Sequence, residues 1–336
     1  MSALPWHREE LQRLLARRER MPHALLVTGP AGIGKAAFAK ELARSLLCES
    51  PQDGLACGKC PSCHWFDQSN HPDYREIVPE AAEEAEPEAA DGEGAREAGK
   101  KSLVIKVDQV RAIGDFVALT THRAGFRVLV LRPAETLQAA AANALLKTLE
   151  EPPPATVIVL VSDRPARLLP TIRSRCQVLR LRAPARDVAL AWLREAGAAD
   201  AAASLALAGG APLLALALAQ PEERDWRIRV VGELSRPDGA HALPFAAGMD
   251  RVQLERMVFV MQAWVHDLVR VKSGGGPRHH VEAVAPLRAK ARRAPLDRLL
   301  ALDRELLEAR RLASHPLNAR LMAEHLLVAY NRATLG

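Results

Sequence analysis

The sequence predicts an α/β protein: a parallel sheet built on a phosphate-binding loop, followed by a wholly helical C-terminal half. Three observations carry this. A Gly-x-x-x-x-Gly-Lys stretch, Gly29 to Lys35, follows a short apolar run and opens a helical pattern. Further short apolar runs alternate with helical patterns up to about residue 182. Beyond that point only helical periodicity continues.

In order, residues 5–20 read as an amphipathic helix, and His23 to Thr28 (HALLVT) as a buried strand ending in the Gly-rich turn. Ala36 to Leu47 is helical. Residues 79–100 are rich in Ala, Glu, Gly and Pro with almost no large apolar side chain, which predicts a disordered or loosely helical acidic insert. Val107 to Leu119 is a helix opened by Asp108. Arg127 to Leu131 (RVLVL) is a second buried strand, and Ala139 to Leu149 a helix stopped by Pro152-Pro153-Pro154. Thr156 to Val161 is a third strand and Gln177 to Leu181 a fourth. Residues 183–219 read as short helices, and the remainder as longer amphipathic ones, among them Met249 to Val271, Leu296 to Ala313 and Ala319 to Tyr330.

The 336 residues suffice for two or three domains. Aromatics are only 4%, so Ala and Leu must fill the cores. No run of some 18 apolar residues predicts a membrane span, and the charged N-terminus lacks a signal-peptide core, so a cytoplasmic protein is expected. Five cysteines in such a chain argue against a disulfide scaffold. Asp73 to Ala98 carries ten acids against two bases, which leaves the rest more basic than the overall +6. A basic body suits an anionic partner such as DNA, although an Arg-rich genome would give the same balance.

Gly29, Gly32 and Gly34 let backbone N–H groups curl into an anion nest at a helix N-terminus, and Lys35 can reach outer phosphates. The next position should carry the Ser or Thr hydroxyl that binds Mg²⁺; here it is Ala36. The second strand should run into an acidic metal partner; here it runs into Arg132-Pro133, with Glu135 further along. Two separate losses of metal chemistry predict no Mg²⁺ site and no self-hydrolysis. Whether the loop still holds ATP or ADP, or is kept for its turn geometry, the sequence leaves open.

Cys48, Cys57, Cys60 and Cys63 stand at C-x8-C-x2-C-x2-C spacing. Thiolates gathered by tight turns suit tetrahedral Zn²⁺ in a closed structural site, worth on the order of 10 kcal/mol to a small module. Redox-active thiols or an iron–sulfur cluster are the alternatives. Cys176 stands apart and is not expected to be a ligand.

Thr171-Ile-Arg-Ser174-Arg175-Cys176 completes a specific set. With Pro22-His-Ala-Leu25, the four cysteines, Ile105-Lys-Val-Asp108-Gln-Val-Arg111 and Asn143-Ala-Leu-Leu-Lys-Thr-Leu-Glu150-Glu-Pro-Pro153, the chain resembles the bacterial clamp-loader family of AAA+ proteins, densely over residues 5–182. Further on the likeness thins, though Leu317 to Leu327 is similar to the final helix of delta-prime subunits.

The resemblance implies an AAA+ domain over 1–182, with a zinc module at about 48–63 and the acidic insert at 79–100. A small helical lid over 183–220 and an all-α oligomerisation collar over 221–336 would follow. It implies that Arg175, beside Ser174, is an arginine finger projecting into the ATP site of an adjacent motor subunit, and that Ser162 holds the sensor-1 position. The sensor-2 arginine is replaced by Pro212. The departures at Ala36, Arg132, Pro133 and Pro212 remove ATP chemistry while Arg175 survives, which separates the delta-prime pattern from the tau/gamma motors. Expected partners are motor subunits (tau/gamma), a delta subunit, the sliding clamp and primed DNA, with no membrane. The alternatives are an active motor ATPase, which needs Ser or Thr at position 36 and an acid at 132, or a zinc-containing DNA-binding module.

Overall fold

A computed structural model describes residues 4–83, 102–118, 125–237, 241–312 and 318–335. The chain divides into two compact units, Met1–Ala183 and Pro184–Gly336.

The first unit contains β1 (Ala24–Thr28), β2 (Tyr74–Ile77), β3 (Arg127–Leu131), β4 (Thr156–Ser162) and β5 (Gln177–Arg180), in the parallel order β2-β3-β4-β1-β5. β1, β3 and β4 are buried at every position, as befits central parallel strands covered on both faces. The helices are α1 (Arg8–Leu15), α2 (Lys35–Leu47), α3 (Pro61–Asp67), α4 (Glu80–Glu83), α5 (Val107–Ala118), α6 (Ala139–Glu150) and α7 (Pro170–Arg173). Leu26, Leu129, Leu131, Ile158 and Leu160 pack with Val110 and Ile113 of α5, Leu145 of α6 and Ile172 of α7. α2 lies against β1, β3 and β4.

Two expectations are refined. The helix read over 5–20 is a 3-10 turn at Pro5–His7, α1, and a second 3-10 turn at Arg18–Arg20. β2 was not predicted: Tyr-Arg-Glu-Ile carries two charges and buries only Ile77, so an edge strand leaves no hydrophobic signature. Of the acidic insert read over 79–100, residues 79–83 are described and contain α4; the rest, from residue 84 onward, lies outside the described residues.

The strand order places β1 between β4 and β5. The register pairs Thr28 with Ser162 on one side and with Arg180 on the other. The carboxyl ends of these strands therefore meet at one edge, where open α/β sheets place their sites.

In the second unit every regular element among the described residues is a helix: α8 (Arg186–Glu195), α9 (Ala201–Leu207), α10 (Pro212–Leu218), α11 (Pro221–Ser235), α12 (Ala242–Ala246), α13 (Arg251–Lys272), α14 (Val284–Arg293), α15 (Leu296–Leu312) and α16 (Ala319–Thr334). α13 opens on a capping box, with Asp250 accepting from the Gln253 N–H at 2.8 Å. Its core is centred on Trp264, whose indole N–H donates to Tyr330 Oη (3.0 Å), while that hydroxyl donates to the Leu234 carbonyl (2.6 Å). Asp267 is fully buried and accepts from the backbone N–H groups of Arg278, His279 and His280, which satisfies a carboxylate that burial would otherwise penalise. Among the described residues no single helix is long and apolar enough to cross a membrane.

Candidate functional site

The glycine-rich loop links β1 to α2. Gly34 adopts a left-handed conformation (φ 95°) and caps α2, which Lys35 opens. Gly29 (φ 152°) runs so close to β5 that a Cβ there would lie 2.5 Å from the Leu181 carbonyl oxygen, so only glycine fits. The Ile33 carbonyl accepts from Trp6 Nε1 (2.9 Å) and His7 Nε2 (2.8 Å), fixing the loop from the N-terminal side. Burial, and then the charge of Lys35, hold the His7 pKa below its ordinary value against the opposing effect of that hydrogen bond.

Lys35 does not project into an open nest. Its side chain is 4% exposed; its ammonium is ion-paired with the Asp163 carboxylate and donates to the Pro30 carbonyl (2.5 Å). Asp163 is in turn aimed by its own backbone N–H, which donates to Glu135 Oε1 (3.2 Å), and Arg164 N–H bonds Ser162 Oγ (3.1 Å). The lysine that would meet a phosphate already has an anion.

The end of β3 follows the same logic. Arg132 is ion-paired with Glu76 of β2, and Glu76 also accepts from Lys40 of α2 (3.3 Å) and Tyr74 Oη (3.3 Å). One carboxylate serves two cations where a metal-bound enzyme would present an acid to Mg²⁺. Ala36 adds no oxygen. Glu135 is turned toward the Asp163 backbone.

Arg175 lies just past α7 with its side chain 36% exposed. Its Nη2 meets Glu150 Oε1 at 2.5 Å, and Nη1 donates to the Thr171 carbonyl (3.0 Å) and lies 3.5 Å from Ser174 Oγ. Ser174 donates to the same Thr171 carbonyl (3.0 Å). Arg175 therefore sits at the surface with its two terminal nitrogens engaged.

The four cysteines converge. Cys48 ends α2, Cys57 lies in the connecting turn, and Cys60 caps α3, which contains Cys63. All four Sγ atoms lie within 4.8 Å of one another. Cys48–Cys60 and Cys57–Cys63 are 3.9 and 4.0 Å apart, close to the roughly 3.8 Å edge of a tetrahedron with 2.3 Å metal–sulfur bonds. N–H···S bonds from Cys57 to Cys48 (3.3 Å) and from Cys63 to Cys60 (3.4 Å) favour the thiolate forms. A backbone hydrogen bond from Lys59 is the main cause lowering the Cys57 pKa to about 6, whereas burial raises those of Cys48 and Cys63. The tetrad could hold a metal ion such as zinc. His71 ties the module to the sheet. Its Nδ1 accepts from Asp73 N–H (3.0 Å), so Nε2 carries the proton and donates to Ser62 Oγ (2.7 Å), which donates to the Leu47 carbonyl (2.6 Å). Cys176 packs against the sheet core, away from the tetrad, and burial raises its pKa to about 11.

The loop Gly29, Gly32, Gly34 and Lys35 thus gains Asp163 and the Trp6–His7 pair as partners the sequence did not flag, as Arg132 gains Glu76 and Arg175 gains Glu150. Glu76 was hidden because β2 was hidden. Glu150 stood inside a quoted motif, but its pairing spans 25 residues and a β-strand.

A family model described as "DNA polymerase III, delta subunit" matches residues 7–185. The DNA polymerase III subunit delta′ of Pseudomonas aeruginosa is 35% identical, covering 97% of this chain and 96% of its own length. That of Escherichia coli is 37% identical over 230 residues, covering 67% of this chain and 64% of its own. A solved DNA polymerase III gamma subunit-related protein from Thermotoga maritima covers 96% of this chain and 99% of its own at 18% identity, with a TM-score of 0.46.

Proposed function

The chain belongs to the DNA polymerase III delta-prime family, and on that premise we propose that it is the non-hydrolysing member of a clamp loader, acting by lending Arg175 to a neighbour's ATP site. The carrying observation is a contrast. Three positions where a phosphate-loop ATPase handles Mg²⁺ or the outer phosphates are taken by other groups: a methyl group at Ala36, the Arg132–Glu76 pair, and Lys35 on Asp163. Arg175 instead stands at the surface. Hydrolysis in cis would lack the hydroxyl and the acid that hold Mg²⁺, whereas a surface guanidinium can neutralise charge that grows on a phosphoryl group in a neighbouring subunit.

The division of labour follows. Gly29 to Lys35 are retained for the strand–turn–helix geometry that positions α2 and, through β4 and β5, the Ser174–Arg175 corner. The tetrad Cys48, Cys57, Cys60 and Cys63 holds a structural zinc ion that fixes the link from α2 to α3. Helices over 183–220 form a lid and those over 221–336 a collar that assembles with motor subunits (tau/gamma) and a delta subunit. The assembly acts in the cytoplasm, placing the sliding clamp on primed DNA. Any contact of this chain with DNA is to backbone phosphates and is salt-sensitive.

The test is reconstitution with motor subunits, delta subunit, clamp and primed DNA, using wild type and Arg175→Ala after gel filtration shows equal assembly. Removal of a trans-acting arginine is expected to cost a large part of the DNA-stimulated turnover at the affected site, up to about 10³-fold or more. Unchanged turnover and loading would leave Arg175 a surface side chain. Metal-dependent hydrolysis by the wild-type chain alone would overturn the non-hydrolysing assignment.

A further inference from the structure

Arg175 is not idle in the isolated chain. Glu150, at the C-terminal end of α6, approaches Nη2 at 2.5 Å, and the Thr171 carbonyl takes Nη1 at 3.0 Å. A guanidinium so paired has its charge offset by a carboxylate. A triphosphate brought to Arg175 would also come close to that carboxylate, and like charges repel. Exchange of Glu150 for a phosphate oxygen at Nη2 would free the full charge of Arg175 for that phosphate.

The environment makes this exchange possible. The side chains of Glu150 and Arg175 are 50% and 36% exposed, so water screens the pair and its net strength is small. Glu150 is followed by Glu151 in a non-helical cap and then by prolines, so nothing helical continues past it. The Lys35–Asp163 pair differs, because Lys35 is 4% exposed and is closed in by the Pro30 carbonyl as well.

We infer that Glu150 is a clasp on Arg175: it parks the guanidinium while the chain is unengaged and yields it to a neighbouring subunit's phosphates on productive assembly. This rests on the reading of Arg175 as a trans-acting arginine. The clasp sets when Arg175 is free, not what it does, and it suppresses turnover in assemblies that have not engaged DNA. Glu150 is thus a positioning residue.

The assembled loader, carrying wild type, Glu150→Gln, Glu150→Asp, Arg175→Ala or the Glu150→Gln/Arg175→Ala double variant, is assayed for steady-state ATP turnover with and without clamp and primed DNA. Glu150→Gln keeps the shape and removes the charge. It is expected to raise turnover without DNA about two- to fivefold, the scale of a screened pair, and to leave the DNA-stimulated rate near wild type. Glu150→Asp, which keeps the charge, should stay close to wild type, and the double variant should lose the gain. Glu150→Gln matching wild type without DNA, while Arg175→Ala impairs stimulated turnover, overturns the clasp and spares the arginine. A gain that persists in the double variant also overturns it. Arg175→Ala without effect removes the underlying reading and the clasp with it.

Discussion

The Lys35 ammonium is ion-paired with the Asp163 carboxylate, so a side chain from the end of β4 occupies the partner that a phosphate-binding lysine keeps for its ligand. The Pro30 carbonyl completes the enclosure at 2.5 Å. Nucleotide binding would have to replace an ion pair whose lysine is buried, though its carboxylate is 43% exposed. Asp163→Ala should therefore open the loop. Titration with ATP is expected to show at least about tenfold tighter binding than wild type, equivalent to about 1.4 kcal/mol. The gain should vanish in Asp163→Ala/Lys35→Ala. Tight binding by wild type, or none by the variant, would show that Asp163 does not close the site.

Glu76 sits between Arg132 and Lys40 and also accepts from Tyr74 Oη, so its charge balances two cations that are each less than a third exposed. Glu76→Gln should cost about 1–3 kcal/mol in urea unfolding, the cost of leaving charged donors poorly paired. Replacing Glu76 and Arg132 together by Gln and Met should cost less than Glu76→Gln alone, because it removes both halves of the tightest pair. A larger loss in the double variant would mean that Arg132 matters through packing.

Metal analysis of protein purified under reducing conditions is expected to find about one zinc per chain, bound by four thiolates. Cys60→Ser should lower that content and destabilise the segment from Cys48 to Asp67, read as faster amide exchange in α3. Unchanged zinc in the variant would place the ion elsewhere.

His7 gives the protein an acid sensitivity. Its pKa lies below the ordinary 6.5, chiefly because it is buried. In the pH interval below 6.5 the unfolded chain binds a proton that the folded chain refuses, so stability rises with pH there and is lost as pH falls. Burial lowers the His279 pKa as well, and it contributes with the same sign. Urea unfolding at pH 7.5 and 5.5 should show a smaller acid loss in His7→Gln, which keeps an N–H donor near the Ile33 carbonyl but cannot titrate. Equal losses in the two proteins would assign the effect to other groups.

The central strands were legible because burial on both faces demands unbroken apolar runs, and Arg127 to Leu131 and Thr156 to Ser162 supply them. The longer helices were legible from periodicity, with boundaries displaced by a residue or two where a cap decided the start, as at Asp250, whereas the seven-residue α3 among the cysteines was not. β2 was not legible. An edge strand needs few apolar residues, and Tyr74 to Ile77 spends its side chains on Glu76 and its partners. The N-terminal helix was overread because amphipathic spacing does not reveal where a helix tightens into a 3-10 turn.

The sequence by itself determined which side chains stand at the metal-handling positions and which ligands can gather. Ala36 has no oxygen, Arg132 cannot hold a cation, and four cysteines at short spacing can reach one point. These are properties of residue type and local spacing. Only the tertiary structure decided which charges meet. Lys35 and Asp163 are 128 positions apart, Arg132 and Glu76 are 56 apart, and Arg175 and Glu150 are 25 apart with β4 between them in the sequence. Parallel strands joined by crossovers bring distant carboxyl ends together at one edge of the sheet. Which of several exposed acids ends beside a given cation depends on register and strand order, and no local pattern encodes that.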